Sequence, residues 1–337
     1  MNLVCGNCGR CPAGWRGLCS GCPGCRRPLL GCVPEARRCG RCPYVCPDRP
    51  GLAAYVNSHL GGTLELEPVA VRRAARLPAH LPLVATRLHE RPPEGLSPWY
   101  ALHAGKVSGG LWRSGGFRRA YNLPEGAGLA LSLYVDDASL ERFWQRRRER
   151  YGVIAAEFDV AFAPNFSVYE DAPRMEHLLN MRRSNIVAAE MTRLGIAVVP
   201  DVSWYCKEDL DRWAALAGES RVPAVAFSFQ TVGRENKGSG AWRAYLAGLR
   251  YLCGRLPAGV RVVVVGANSA EKISAVLGAV GGRDVSFLDT LSFYAARKGG
   301  VVTASGRERA PEGTSRDAAF FASVRAFRAR LAAAGAD

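Results

Sequence analysis

Ten of the twelve cysteines lie within the first 46 residues, and this crowding is the strongest chemical signal in the chain. Five pairs are separated by two residues, a spacing that lets one tight turn direct two thiolates at one metal ion. A disulfide framework is the alternative, but it needs an oxidising compartment, and no apolar signal-peptide stretch precedes the first cysteine. We therefore predict a small Cys-rich metal-binding module over residues 1–50. Its candidate ligands are Cys5, Cys8, Cys11, Cys19, Cys22, Cys25, Cys32, Cys39, Cys42 and Cys46.

The spacing favours zinc, with two ions of four thiolates each, and leaves an iron–sulfur cluster as the alternative. Cys39, Cys42 and Cys46-Pro47 match the last three cysteines and the proline of a [4Fe-4S] ferredoxin run. The first cysteine of that run would fall at Ala36, so a fourth ligand would have to come from Cys32 or elsewhere. The paired spacing and the lack of any other redox signature make zinc the preferred metal.

The charge of the chain points to a polyanionic partner. Of the net charge of +15, +6 falls before residue 50, where eight arginines face two acidic residues, and +9 falls in the remainder. Excess basic charge along a chain attracts nucleic acid, for which we expect DNA rather than RNA, although solubility and arginine-rich codon usage would give the same composition. No apolar run approaches the ~20 residues of a membrane span, so we expect a cytoplasmic protein without a membrane partner.

Beyond the module, the sequence predicts an α/β fold. Residues 51–98 are rich in Pro, Gly and Arg and predict an irregular connection, and residues 99–337 predict the main domain. Apolar strands alternate with amphipathic helices, which indicates a parallel sheet. Two weak early strands bring the count to eight, so we predict a (β/α) barrel-like domain of the TIM-barrel kind, irregular in its first third, with an open doubly wound sheet as second choice. Predicted strands cover 83–86, 99–102, 129–135, 153–161, 196–199, 224–229, 261–265 and 285–288. Predicted helices cover 139–150 and 173–194, then follow around Leu210 and Trp213, over 242–256, after Ser269, and from Ser315.

In a parallel barrel, the active site lies where the strands end. Asp159 lies near the end of one predicted strand and Asp201 follows the next, so the two carboxylates are expected to share one mouth as nucleophile or base and assisting acid. Two structural alternatives remain open. Asp201 would cap the following helix, and Asp159 would be a buried carboxylate that fixes a long loop.

Six further residues have the character of substrate contacts. Amide, phenol and guanidinium groups can read the edge of a base or sugar, and an indole can stack on a flat ring. The opposing interpretation is that the indole belongs to the core and the guanidinium to a solvated helix face. These candidates are Asn165, Tyr169, Arg182, Trp204, Gln230 and Asn268.

The region from Asp159 to Trp204 resembles an uncharacterised domain family of phages, plasmids and integrated mobile elements. The resemblance rests on the runs at 164–169 and Pro173, on Asn180-x-Arg182-x-Ser184, and on the run at 195–200 with Trp204. It covers about residues 151–270 and implies a mobile-element setting. The family pattern has Asp-Phe-Ser where this chain has Asn165-Phe166-Ser167, so a catalytic role of that Asp in relatives would not transfer here.

Together these features predict a nucleic-acid-associated protein with a base-modifying site of glycosylase or transglycosylase type. The architecture resembles barrel-plus-zinc transglycosylases that exchange guanine for deazaguanine bases, although their zinc spacing is not matched. A non-enzymatic, zinc-dependent DNA-binding replication or regulatory factor is one alternative. An iron–sulfur redox or radical enzyme is the other.

Overall fold

A computed structural model describes residues 55, 58–71, 76–169, 174–230, 232 and 241–336. The predicted metal-binding module of residues 1–50, with all ten candidate ligands, lies outside these residues. The zinc and iron–sulfur alternatives therefore stay predictions.

Within the described residues, eight parallel strands form one sheet that nearly closes into a barrel, as the sequence predicts. Neighbours follow the chain order from β1 to β5 and from β6 to β8, and β1 pairs with β8. Between β5 and β6 the sheet is joined by an isolated parallel bridge of Asp201 with Ala226, where Val202 N–H donates to the Ala226 carbonyl at 2.9 Å. The strands are β1 His80–Val84, β2 Trp99–His103, β3 Gly128–Ser132, β4 Val160–Phe162, β5 Val198–Val199, β6 Ala224–Ser228, β7 Arg261–Val265 and β8 Val285–Asp289.

Helices surround the sheet, and a small antiparallel hairpin follows the last barrel strand. Strand residues alternate between the barrel interior and the layer beneath the helices, so each strand is buried on both faces. The helices are α1 Leu111–Ser114, α2 Phe117–Tyr121, α3 Asp137–Glu157, α4 Arg174–Arg193, α5 Lys207–Ser220, α6 Ala241–Arg255, α7 Ala270–Val280, α8 Leu291–Arg297 and α9 Arg316–Ala333. A 3-10 turn covers Ala104–Lys106, and the hairpin strands are β9 Gly300–Val302 and β10 Arg307–Arg309.

The largest error in the predicted elements concerns the start of β4. The predicted strand over 153–161 is wrong, because α3 continues to Glu157 and β4 begins at Val160. Tyr151 and Ile154 are buried three residues apart, which is helical spacing, so the apolar residues near 153 belong to a helix face. The strand at 129–135 is likewise shorter and ends at Ser132.

Part of the 51–98 segment, which the composition predicts to be an irregular connection, contributes to the barrel. β1 lies within the 51–98 segment and sits between β2 and β8, so the sheet begins before the boundary predicted at residue 99. Leu60 and Leu64 are also buried in the layer between barrel and helices.

The amino end of the barrel is filled by an indole. Trp99 packs against the interior cluster, and its register partner on β3 is Gly128. A Cβ at position 128 would overlap the Trp99 ring, so glycine is required where the indole crosses the strand. In the described part of the chain, no helix is long and apolar enough to cross a membrane.

Candidate functional site

A buried carboxylate lies at the barrel mouth, by which we mean the end formed by the carboxyl ends of the strands. Asp201 follows β5, takes part in the bridge to β6 and is fully buried. Its carboxylate accepts hydrogen bonds from the Tyr134 hydroxyl at 2.7 Å, the Asn165 amide at 2.9 Å and the Ser203 hydroxyl at 2.5 Å. These four residues, the Asp201 cluster, come from the ends of β3, β4 and β5.

Each donor is positioned by local structure. Tyr134 continues the inward alternation of β3 two residues beyond Ser132 and belongs to the interior apolar cluster. Next to Asn165, Phe166 is buried and packs edge-on against Trp144. The Ser203 carbonyl accepts a 2.8 Å hydrogen bond from the Trp213 indole, which ties the segment after β5 to α5.

Burial dominates the electrostatics of the cluster. Loss of solvent raises the pKa of Asp201 to about 6, and the hydrogen bonds from Ser203, Tyr134 and Asn165 lower it by less. Burial and the neighbouring Asp201 charge raise the pKa of Tyr134 well above its ordinary value, so its hydroxyl stays a donor. The cluster therefore holds a carboxylate that can exchange a proton near neutral pH.

Asn165 is the most accessible member of the cluster. It is partly exposed, whereas Asp201, Ser203 and Tyr134 are buried. One amide hydrogen is bonded to Asp201, and an asparagine side chain carries a second hydrogen and an acceptor oxygen besides. This arrangement suits contact with the polar edge of a ligand.

The structure does not bring Asp159 to this mouth, so the expectation that Asp159 and Asp201 share one site is wrong. Asp159 precedes β4 and therefore lies at the amino end of the barrel. Its carboxylate accepts hydrogen bonds from the Arg118 guanidinium at 2.9 Å and from the Leu129 N–H at 2.8 Å. These two bonds connect α2 to the start of β3. The misplaced strand start explains the error, because ending the strand at residue 161 moved Asp159 toward the wrong end.

Two other predicted contacts lie in the packing layer outside the barrel. Trp204 contacts Phe227 and Tyr245 and fits over Gly248 of α6, where a Cβ would lie 2.5 Å from the indole. Arg182 is buried on α4 and donates to the Leu60 carbonyl at 3.3 Å and to the Asn185 side-chain oxygen at 3.0 Å. Neither side chain is part of the mouth.

The remaining candidates lie at loops beyond the strand ends. Tyr169 is exposed and donates to Asp137 at 2.5 Å. Gln230 follows β6, and a Cβ at Gly266 after β7 would lie 2.8 Å from its backbone nitrogen, so these two loops touch. The backbone carbonyl of Asn268 accepts from Arg330 of α9 at 2.9 Å. Gln230 and Asn268 thus follow β6 and β7, whereas the described donors to Asp201 are Tyr134, Asn165 and Ser203.

Tyr134 and Ser203 were not predicted as site residues. Tyr134 lies within the predicted strand over 129–135, and Ser203 follows Asp201 after the predicted strand over 196–199. The available signal was the alternation along β3, which places residues 130, 132 and 134 on one face. Among the described residues, no group of His, Cys, Asp and Glu is arranged to hold a metal ion.

Part of the chain is similar to a known protein family. Residues 117–275 match the model of a family described as Domain of unknown function (DUF4417). No curated protein matches the chain. The matched segment runs from α2 into α7 and includes the whole Asp201 cluster. The resemblance to an uncharacterised domain family is thereby confirmed, and residues 117–275 carry the segment similar to that family of unknown function.

Proposed function

We propose that this chain is a nucleic-acid-associated enzyme that releases or exchanges a base at the barrel mouth, in the manner of a glycosylase or transglycosylase. The observation that carries the proposal is the buried Asp201 carboxylate, with a pKa of about 6, held by three donors at the carboxyl end of the barrel. Carboxylates with pKa values moved toward neutrality are the usual acids and bases of enzymes.

The chemistry required is proton transfer to a leaving base. When the bond between sugar carbon and base nitrogen breaks, its electron pair stays on the base, and a proton from the Asp201 carboxyl group neutralises it. Water or the ring N–H of an incoming base then forms the new bond to the sugar carbon and gives its proton to the Asp201 carboxylate, which restores the acid. Because Asp201 is fully buried, a substrate must displace one of its donors to reach it, and Asn165 is the partly exposed one.

The nucleic-acid partner is supported by charge. The chain carries a net +15, and its N-terminal segment joins arginines to a cysteine spacing typical of zinc modules. We infer that this module binds two zinc ions and contacts DNA phosphates, with a [4Fe-4S] cluster as the alternative. The resemblance of the barrel segment to a family of mobile elements favours a phage or plasmid setting.

A base-release assay tests the proposal. The full chain is incubated with DNA and RNA oligonucleotides, with and without isotopically labelled guanine, and free and incorporated bases are measured by mass spectrometry. We expect release or exchange by the wild type, loss of more than about tenfold in Asp201→Asn, and unchanged rates in Asp159→Asn. Oligonucleotide binding without release or exchange would instead favour a non-enzymatic DNA-binding factor.

A further inference from the structure

Two buried polar side chains face the barrel interior beside the Asp201 cluster. Ser132 ends β3 with 1% of its surface exposed, and His103 ends β2 with 9% exposed. Ser132 Oγ and His103 Nδ1 have no hydrogen-bond partner within the described part of the chain. Buried polar atoms in proteins are nearly always bonded to protein, ordered water or a ligand, so these two adjacent atoms are available to a group that enters the mouth.

The register of the sheet places these two side chains side by side. His103 and Ser132 are paired residues of the parallel strands β2 and β3. Two residues earlier, Ala101 and Ala130 belong to the interior cluster, and side chains alternate along a strand, so His103 and Ser132 also point inward. Tyr134, next on the same face of β3, donates to Asp201. The pair therefore adjoins the Asp201 cluster inside the mouth.

The chemistry of the pair fits a neutral ligand. Burial and, to a lesser extent, the nearby Lys106 charge lower the pKa of His103, so its imidazole is neutral at neutral pH and offers one acceptor and one donor. The Ser132 hydroxyl both donates and accepts. Tyr294 lies edge-on to the His103 ring at 6.5 Å between centroids, and the neighbouring interior residues Ala101, Ala130 and Phe162 are apolar. The nearby Lys106 is exposed to solvent and the interior residues are apolar, so a flat, uncharged ring with polar atoms on one edge matches this part of the mouth.

We propose that His103 and Ser132 bind the polar edge of a nucleobase inside the mouth, next to the Asp201 carboxyl group. The inference rests on the proposed base-releasing function and names the residues that contact the base. Under this assignment the base lies within the barrel with one edge on His103 and Ser132 and another near Asp201.

Binding of free bases to the full chain tests the assignment. Adenine, guanine, cytosine, uracil and thymine are titrated by calorimetry, with ribose 5-phosphate as a sugar-phosphate probe. The variants are Ser132→Ala and His103→Phe. The phenylalanine keeps a ring at position 103 and removes both imidazole nitrogens. Ser286→Ala is the matched control, because Ser286 is a fully buried barrel serine whose hydroxyl accepts from Arg261 at 3.3 Å. We expect one base to bind, about fivefold or greater weakening in both mouth variants, and unchanged affinity in the control.

Thermal unfolding of Ser132→Ala separates a ligand contact from a structural one. Removal of an unbonded buried hydroxyl leaves the melting temperature unchanged or raises it, whereas loss of a structural hydrogen bond lowers it. Weaker base binding at undiminished stability supports the assignment. A lower melting temperature, or wild-type base affinity in both mouth variants, overturns it and leaves the proposed function standing. Failure of the wild type to bind any base, with or without binding of ribose 5-phosphate, also overturns the assignment, and the base-release assay then decides the proposed function separately.

Discussion

The Tyr134 hydroxyl donates a 2.7 Å hydrogen bond to the Asp201 carboxylate and thereby joins the ends of β3 and β5 across the intervening β4. Asn165, from the end of β4, donates to the same carboxylate at 2.9 Å. One buried acid thus holds three neighbouring strand ends together where the barrel closes. This position gives Asp201 a structural role and, because its pKa is about 6, a capacity for proton transfer.

We predict that Asp201 makes the stability of the protein depend on pH. The pKa of this carboxyl is raised from 3.8 to about 6 by folding, so the folded state binds its proton more tightly than the unfolded state. The associated stability is fully present below about pH 4 and is lost as the pH rises through about 6, a change of roughly 3 kcal/mol in the free energy of unfolding. Denaturant titrations of wild type and Asp201→Asn from about pH 4 to pH 8 measure it. Parallel curves for the two proteins would contradict the assignment.

Asp201→Ala is expected to destabilise the fold more than Asp201→Asn does. Removing the carboxylate leaves Tyr134, Asn165 and Ser203 without their acceptor, at a cost of about 3 kcal/mol or more in the free energy of unfolding. Asparagine keeps one acceptor oxygen, so its cost is smaller. Equal stability of the two variants at pH 7 would show that the hydrogen bonds contribute little.

Asn165→Asp places a second carboxylate beside the first. The two oxygens would lie near the 2.9 Å that now separates the Asn165 amide from Asp201, so the pair cannot be fully ionised without strong repulsion. We expect this variant to lose stability between about pH 6 and pH 8 more steeply than wild type. Asn165→Ala, which adds no charge, is the control, and its loss of stability between about pH 6 and pH 8 should stay below that of Asn165→Asp.

Asp159→Asn is expected to affect stability without affecting chemistry. Asp159 accepts from Arg118 and from the Leu129 backbone at the amino end of the barrel, so its loss should cost about 1–2 kcal/mol in the free energy of unfolding. Base release and base affinity of the folded variant should equal those of the wild type. A selective loss of base release would return Asp159 to the site.

Gly128→Ala tests how the amino end of the barrel is filled. A methyl group there overlaps the Trp99 indole, and overpacking of this kind costs about 1–3 kcal/mol. Gly126→Ala is the matched control, since a Cβ at Gly126 meets nothing within 4 Å. Both variants are compared by chemical denaturation, and equal stability would show that Trp99 can move aside.

Metal analysis distinguishes the alternatives for the N-terminal cysteines. Protein purified without oxygen is expected to be colourless and to contain about two zinc ions per chain, as ten thiolates in paired spacing indicate. A brown sample with iron and acid-labile sulfide would replace zinc by a cluster and favour a redox or radical enzyme.

Much of the barrel could be predicted from residue patterns because its strands are buried on both faces. The run at 261–265 and the helix cap at Ser269, whose side chain accepts from the Lys272 N–H, appear as expected. The site residues were harder to predict than the strands, because their position in the barrel depends on the residue at which each strand begins and ends. The predicted start of β4 was seven residues too early, which placed Asp159 near the mouth. The predicted strand over 129–135 was too long, so Tyr134 was not recognised as a residue beyond the strand end. The hydrogen-bond donors to Asp201 come from different strand ends, and a single sequence does not show which strand ends are in contact.

The pH dependence of base release tests the central claim most directly. If Asp201 donates the proton, the wild-type rate on an oligonucleotide should fall as the pH rises through about 6. Asp201→Asn should lose more than about tenfold below about pH 6 and approach the wild-type rate at higher pH. A wild-type rate in Asp201→Asn, with the same pH profile, would contradict the assignment of Asp201 as the acid.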